Sequence, residues 1–236
     1  VSWSISGDID EEDIIPVIPK IYTSPLTFED FFPKELPTIR DKTTSLEVFN
    51  DTKADLSLGF RTKSAKMDIV DSASLEILIT HLALDRGSKL QDELRYKRGL
   101  IYNCRGANFL GFDVGDWHIT TACLAEKSQE VLDIITNELR NIKENGISAE
   151  ELILVKNKII KGLIRKKQTT ESWASIASNA AFFTAPDKFL ITNYEEAIER
   201  ITTKDIITIA NKYFTADNWY LAICGPVTLK DVEVNI

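Results

Sequence analysis

The sequence has 236 residues, a formal net charge of −8 and a hydrophobic fraction of 44%. This length allows one large domain, or one domain with a fragment of another, whose core needs no disulfides or metals. The acidic balance argues against a nucleic-acid partner, and no apolar run reaches the roughly 18 residues of a membrane-spanning helix. Three cysteines are too few, and odd in number, for a disulfide framework.

The chain begins with a strand-like stretch, because residues 1–7 alternate apolar side chains with serines. Asp8 to Asp13 then supply a cap and an acidic first turn for a short helix through Ile21. Residues 24–40 hold three prolines and no sustained period, which predicts a linker. No signal peptide is visible, which favours a cytoplasmic location over a periplasmic or organellar one. The chain starts without methionine, so a piece of a longer protein is equally consistent.

A second block begins near Thr43 with two predicted strands, "TSLEVFN" and "ADLSLGFRT", expected to pair antiparallel around Asn50 and Asp51. Leu56, Leu58 and Phe60 share one face of the second strand. Residues 68–84 have the apolar spacing of a helix, with core candidates at Ile69, Ala73, Ile77 and Leu84.

The Asp85-Arg86-Gly87 break follows this helix, and Ser88 is expected to cap a helix that ends at Arg98-Gly99. Two further strands, "IYNCRGANF" and "GDWHITTACLA", come next. Helices are predicted over 127–144, from the capping box of Ser148 and Glu151 onward, and over 170–184 and 203–214, before a closing strand "NWYLAICG".

The two ends of the chain share a pattern of apolar strand, glycine, turn and acidic helix start. In this match Gly7 corresponds to Gly225, and Ile5 to Ile223. A chain that opens with the closing pattern of its own domain is typical of the second half of a tandem duplication. The sequence therefore predicts a tail of a preceding homologous domain at 1–22, a linker at 23–40 and a complete domain at 41–236.

Residues for catalysis are scarce in this chain. Neither His81 nor His118 has a second ligand nearby in sequence, and neither H-E-x-x-H nor its inverse, H-x-x-E-H, occurs. His81 is interpreted as a core-edge or solvated histidine and His118 as a surface or groove residue. The spacing of Cys104, His118 and Cys123 fits no standard zinc cage. No metal site and no cofactor are therefore predicted for this chain, which alone is expected to be inactive.

Several stretches together resemble one protein family. They are the string "GSKLQDELRYKRGLIYNC", the two strands after it, "ENGISAEELILVKNKIIKGL" and "YLAICGP". From about residue 43 to 228 the chain resembles the second, non-zinc-binding domain of pitrilysin- and insulinase-type metallopeptidases, mitochondrial processing peptidase among them. The segment "GDIDEED" resembles the end of that family's first domain. The resemblance implies an α/β (α+β) two-layer sandwich, a mostly antiparallel sheet with helices on one face.

The resemblance also implies a function: the C-terminal, substrate-binding half of a zinc metalloendopeptidase. The zinc would be bound by an H-x-x-E-H domain or subunit, either fused or separate, and the substrate would be a peptide. The family's arginine and tyrosine, spaced as in "LRxxxxxxY", correspond here to Arg95 and Tyr102, which would stabilise the carbonyl oxygen in the transition state. Gly87 and Ser88, in the family's glycine-containing turn, are weaker substrate-binding candidates, and Arg98 is a substitute for Arg95.

Two alternatives remain open at the level of sequence. One is a catalytically inactive scaffold of the same fold, and the other is a peptide-binding or pairing module whose partner is also inactive, a homodimer of fragments included. The residues that discriminate among these functions lie outside this chain. Substrate sequence, compartment and oligomeric state are likewise not determined by the sequence.

Overall fold

Within the described residues, a five-stranded sheet carries helices on one side. The computed structural model describes residues 4–14, 16, 43–46, 52–63, 68–111, 114–182, 191–227 and 231–236. The strands are β1 (Thr43–Leu46), β2 (Lys53–Lys63), β3 (Ile101–Leu110), β4 (Val114–Leu124) and β5 (Trp219–Cys224). Their order in the sheet is β1-β5-β2-β4-β3, and every pair is antiparallel except β1 with β5. The predicted mostly antiparallel sheet is confirmed.

The predicted hairpin between the first two strands is wrong. β1 pairs in parallel with β5, Thr43 opposite Leu221, and β5 lies between β1 and β2. The closing strand "WYLAIC" carries the apolar side chains that suit an inner position, so it displaces β1 from β2. Nothing local in the sequence around 43–63 encodes this insertion, because it joins residues far apart in the chain.

The helices are an N-terminal turn α1 (Glu11–Ile14), then α2 (Ile69–Leu82), α3 (Lys89–Gln91, continued by a π-helical segment Asp92–Lys97), α4 (Ser128–Asn145), α5 (Ala149–Lys166), α6 (Thr170–Phe182), α7 (Ile191–Arg200) and α8 (Thr203–Tyr213). The predicted capping box of Ser148 and Glu151 begins α5, and Gly146 at φ 73° ends α4. Helix α7 had no counterpart in the sequence prediction. None of the described helices is long and apolar enough to cross a membrane.

Helix α2 lies at the centre of the helical layer, where it packs on β3 and against α5, α7 and α8. It is buried on almost every side, although Leu84, a predicted core residue just beyond its end, is exposed. Across from α2, the rings of Phe60, Trp117 and Phe214 stack at tilted angles. Trp117 Nε1 donates a hydrogen bond of 3.2 Å to the Leu75 carbonyl, which joins the sheet to α2.

The start of the chain differs from its predicted structure. Residues 4–7 form no strand, although their alternation is strand-like, because a strand needs a hydrogen-bonded neighbour and none of the described strands pairs with them. The predicted helix after Asp8 is confined in the described residues to Glu11–Ile14. The predicted linker over 23–40 lies outside the described residues, and the domain boundaries stay predictions.

The sheet face away from the helices is called the outer face. Side chains of β2, β4, β5 and β3 alternate, so those that do not enter the core point to this face. The register aligns them in rows across the strands: Cys224, Asp55 and Ala122 in the first row, with Tyr102 beside it at an irregularity of β3; Ala222, Ser57, Thr120 and Arg105 in the second; Tyr220, Gly59, His118 and Ala107 in the third.

Candidate functional site

The turn between α3 and β3 brings the end of a helix next to the start of a strand. Gly99 takes a φ of 66°, a left-handed conformation that glycine adopts without strain. Its N–H donates to the Arg95 carbonyl at 3.0 Å, and Leu100 N–H donates to the Leu94 carbonyl at 2.8 Å. The chain therefore reverses within two residues, with Arg95 on the helical side and Tyr102 on the strand side.

Arg95 and Tyr102 are in direct contact. The guanidinium carbon of Arg95 lies 4.6 Å from the centre of the Tyr102 ring and 5.4 Å from that of Tyr96. Tyr102 is 79% exposed, and its hydroxyl makes no hydrogen bond to any residue that the structure describes. Arg95 is half-buried, held against the ring by a cation–π contact. The two side chains thus form one unit, with the tyrosine hydroxyl directed to solvent.

Two backbone irregularities position this pair. Arg95 belongs to the π-helical segment Asp92–Lys97, and Tyr102 lies at a β-bulge, where the register with β4 shifts between Ile101 and Cys104. On a regular strand, residues three positions apart point to opposite faces. The bulge lets Ile101 and Cys104 both face the core, and it leaves Tyr102 exposed between them. Irregularities of both kinds recur at functional sites.

Gln91 connects the helix to the bulge, and the sequence reasoning missed it. Its side chain is 1% exposed. Oε1 accepts a hydrogen bond of 2.8 Å from Cys104 N–H, and Nε2 donates one of 3.4 Å to the Tyr102 carbonyl. Gln91 therefore binds the backbone groups that the bulge withdraws from the sheet. The only signal in the sequence was a polar residue between Leu90 and Leu94 in a buried helix.

Arg98, the predicted substitute for Arg95, has a different environment. Its Nη2 lies 2.9 Å from Glu93 Oε1, and Lys97 pairs with Glu93 at 3.1 Å and with Asp92 at 2.9 Å. These hydrogen bonds to Lys97 and Arg98 lower the pKa of Glu93. The guanidinium of Arg98 is thus engaged by a carboxylate, whereas Arg95 rests on an aromatic ring.

Gly87 and Ser88 are in a separate place from Tyr102. The Ser88 hydroxyl donates to the Asp85 carbonyl at 2.6 Å, and Gly87 N–H donates to Asp85 Oδ1 at 3.0 Å, so both serve the turn itself. Ser88 occupies the cap position before Lys89 but makes no side-chain cap bond. Gly87 lines a cavity of about 330 Å³ between α2 and α5, beside the buried His81. Burial lowers the pKa of His81.

The outer face next to Tyr102 is concave. A cavity of about 410 Å³ lies over the first and second rows, floored by Ser57, Thr120, Ala122 and Ala222 and bordered by Tyr102 and Arg105. These floor side chains are small, so the backbone of a bound chain could approach the sheet closely. The cavity therefore has room for an extended segment, with the exposed Tyr102 at its edge.

The residues described here do not form a metal centre. No group of three or more histidine, cysteine, aspartate or glutamate side chains could hold an ion in the described part of the chain. Cys104 and Cys123 enter the core, whereas His118 lies on the outer face, so the three residues weighed as ligands are on opposite sides of the sheet.

Cys224 gives a chemical test of this geometry. It is half-buried in the first row, whereas Cys104 and Cys123 are buried, and burial raises the pKa of Cys104 to about 12 and raises that of Cys123. We expect one thiol per chain to react rapidly with a thiol reagent at pH 8, and two more only after unfolding. Mass spectrometry of the labelled protein should place the label on Cys224. Rapid labelling of Cys104 in the folded protein would contradict the described packing.

Comparisons with known proteins agree with this fold. A family model described as the peptidase M16 inactive domain matches residues 2–159. An uncharacterized zinc protease of Mycobacterium tuberculosis is 25% identical over 171 residues, which cover 72% of this chain and 38% of that relative. One of Mycobacterium leprae is 24% identical over 157 residues, covering 66% of this chain and 35% of the relative. The chain thus matches less than two fifths of the length of these curated relatives.

Two solved structures show the same fold at low sequence identity. A protease from Helicobacter pylori superposes with a TM-score of 0.78 at 18% identity, over 94% of this chain and 54% of that one. A peptidase M16 inactive domain from Pseudomonas fluorescens superposes with a TM-score of 0.71 at 18% identity, over 80% and 44% of the two chains.

Proposed function

The chain belongs to the peptidase M16 inactive-domain family, and on that premise we propose that it is the substrate-binding half of a zinc metalloendopeptidase. The zinc would be held by a homologous H-x-x-E-H domain or subunit, and this chain would supply Arg95 and Tyr102 to the shared active site. The matched region covers only 38% and 35% of the relatives named zinc proteases, so these relatives have room for a second, zinc-bearing half. This chain alone would be inactive.

The chemistry of peptide hydrolysis explains why such a pair is useful. Attack on a peptide carbonyl turns its oxygen into an oxyanion, and donors fixed in advance stabilise that charge more than they stabilise the ground state. The Tyr102 hydroxyl gives one directional donor, and the Arg95 guanidinium gives a permanently charged group for carbonyl oxygens. Zinc in the partner half would supply the activation of the attacking water.

The observation that carries the proposal is the stacked pair with an unengaged hydroxyl. Tyr102 exposes 79% of its surface and has no hydrogen-bonding partner for its hydroxyl in the described residues, yet the bulge, Gln91 and Arg95 all fix its position. A hydroxyl that is positioned by its neighbours and has no partner among the described residues is available to donate to a bound substrate. The small-residue cavity beside it supports an extended peptide as that molecule.

The proposal is tested by reconstitution. We expect a quenched fluorescent peptide library to be cleaved only by a mixture of this chain and a zinc-bearing H-x-x-E-H half from the same organism, and by neither alone. A chelator should abolish the activity and added zinc should restore it. Size-exclusion chromatography and zinc analysis establish that the two halves associate and are loaded. A loaded, associated but inactive mixture would refute the peptidase and favour the scaffold alternative.

A further inference from the structure

A second group of polar side chains lies in and beyond the third row of the outer face. Asp116 is at its centre: Oδ2 is hydrogen-bonded to His118 Nδ1, and Oδ1 accepts a hydrogen bond from the Tyr220 hydroxyl. Tyr220 crosses over Gly59 to reach Asp116, and a methyl group at Gly59 would collide with the tyrosine oxygen. Residues of β4 and β5, across the glycine of β2, therefore hold the imidazole in one orientation.

The second ring nitrogen of His118, Nε2, makes no hydrogen bond to any described residue. The His118 side chain is 27% exposed, and Asp116 is the only hydrogen-bonding partner of the ring among the residues described. The hydrogen bond to Asp116 raises the pKa of His118, against the opposing effect of burial. The ring therefore keeps its proton to a higher pH than a free histidine, and a protonated ring engaged at Nδ1 donates from Nε2.

Arg105 provides a second cationic group at the same place. The register sets Arg105 opposite Thr120 and Ala107 opposite His118, so Arg105 and His118 are diagonal neighbours with roughly 7–8 Å between their Cα atoms. Arg105 is exposed, and its guanidinium forms no ion pair within the described residues. The two small neighbours leave space between the arginine and the imidazole. Two neighbouring groups on one face that can both carry positive charge suit a carboxylate.

The charges around His118 leave this place cationic. Asp116 and Tyr220 contact the network directly, and Arg61 lies opposite Asp116 on β2. When His118 is protonated, its charge and that of Asp116 cancel, so the charge of Arg105 is unbalanced. Asp55, the other acidic residue among these rows, is in the first row, beyond Ser57 along β2.

We propose that His118 and Arg105 form a carboxylate-binding subsite on the outer face, just beyond the cavity that Arg105 borders, for an acidic side chain or the C-terminus of an extended peptide. That the carboxylate belongs to a peptide rests on the proposed function. Arg105 lies three positions after Tyr102 along β3, roughly 10 Å of strand. A bound peptide would therefore present its carboxylate about three residues from the bond next to Tyr102.

The test uses the histidine signals of this chain, which has only two histidines. Ring signals of His118 and His81 are followed by NMR during titration with three acetylated, extended peptides: one with an internal Glu and an amidated end, its Gln counterpart, and the Gln peptide with a free C-terminus. We expect the Glu or the free-carboxylate peptide to shift His118 but not His81, and to bind roughly tenfold more tightly than the amidated Gln peptide. The responding peptide identifies the source of the carboxylate.

Variants separate ligand binding from a structural role. His118→Gln and Arg105→Gln should each reduce the preference for the carboxylate to about twofold or less, whereas the matched control Arg165→Gln, on α5, should keep it. Asp116→Asn removes the hydrogen-bonded charge that raises the pKa of His118, so the preference should be lost at a lower pH than in the parent chain. Circular dichroism checks that each variant is folded.

The outcomes distinguish this subsite from the proposed function. Equal binding of all three peptides, or no shift of His118 with any of them at millimolar concentration, would overturn the subsite. Variants that lower Tm but leave the preference unchanged would also overturn it, because the network would then be structural. If the reconstituted mixture cleaves peptides but shows no preference for the carboxylate, only the subsite is refuted. If the mixture is inactive but this chain still prefers the carboxylate peptide, the subsite is supported and the proposed peptidase function is contradicted.

Discussion

Removing the Tyr102 hydroxyl, as Tyr102→Phe, should lower kcat/KM of the reconstituted peptidase by about 10²–10³, with most of the loss in kcat. The ring stays in place against Arg95, so only the donor to the developing oxyanion is lost. Arg95→Ala should produce a loss of the same order, through the missing charge and the freed tyrosine ring. Both are measured with a single quenched fluorescent peptide at several concentrations.

Neighbouring residues provide matched controls for this result. Tyr96→Phe removes a hydroxyl from an exposed tyrosine on the same helix, and Arg98→Ala removes a guanidinium already paired with Glu93. We expect kcat/KM of both to stay within about threefold of the parent, because neither group is part of the stacked pair. Tm should be unchanged in all four variants, since surface substitutions of this kind have small effects on stability.

A different pattern would alter the assignment of the site. If Arg98→Ala abolished cleavage and Arg95→Ala did not, the arginine would be Arg98, and its ion pair with Glu93 would have to open in the complex. If neither tyrosine mattered, the family and the fold would remain, but the proposed role of Tyr102 would be rejected.

Gln91→Ala should have the largest effect on stability among residues near the site, about 1–3 kcal/mol of unfolding free energy. The substitution leaves Cys104 N–H and the Tyr102 carbonyl without their partner at the bulge and opens a cavity under α3. Urea unfolding followed by circular dichroism measures the change. Because the bulge positions Tyr102, peptide cleavage by the reconstituted enzyme should also fall, at temperatures where the variant is still folded.

Two further substitutions isolate the cause of that loss. Gln91→Glu keeps an acceptor for Cys104 N–H but places a buried carboxylate against the Tyr102 carbonyl oxygen, so a loss of stability at least as large as that of Gln91→Ala is expected at neutral pH. Gln168→Ala, on an exposed position after α5, should be neutral. A fully stable Gln91→Ala variant would mean that water replaces the side chain at the bulge and that Gln91 does not position Tyr102.

The local elements of this fold could be predicted because their causes are local. The alternation of Trp117, Ile119, Thr121 and Cys123 determined the inward face of β4, and Ser148 with Glu151 determined the start of α5. The order of strands could not be predicted in this way. β1 and β5 are separated by most of the domain, and their pairing depends on which strand fills the gap beside β2.

The candidate site likewise has features that are predictable from local sequence and others that depend on the tertiary structure. Arg95, Tyr102, Gly87, Ser88 and Arg98 were singled out as a group because they are close in sequence and resemble a family motif. The structure joins Arg95 to Tyr102, engages Arg98 with Glu93, and uses Ser88 and the Gly87 N–H within a turn beside another cavity. Proximity in sequence therefore did not establish a common site.

The sequence by itself determined most helix ends and the absence of an H-x-x-E-H motif from this chain, because these follow from periodicity, capping and residue type, whereas the class of fold followed from the family resemblance. Only the tertiary structure decided that Gln91 holds the bulge under Tyr102 and that His118 meets Tyr220 through Asp116. The reason is physical: these contacts depend on strand register and on a one-residue bulge, which arise when distant segments compete for the same core.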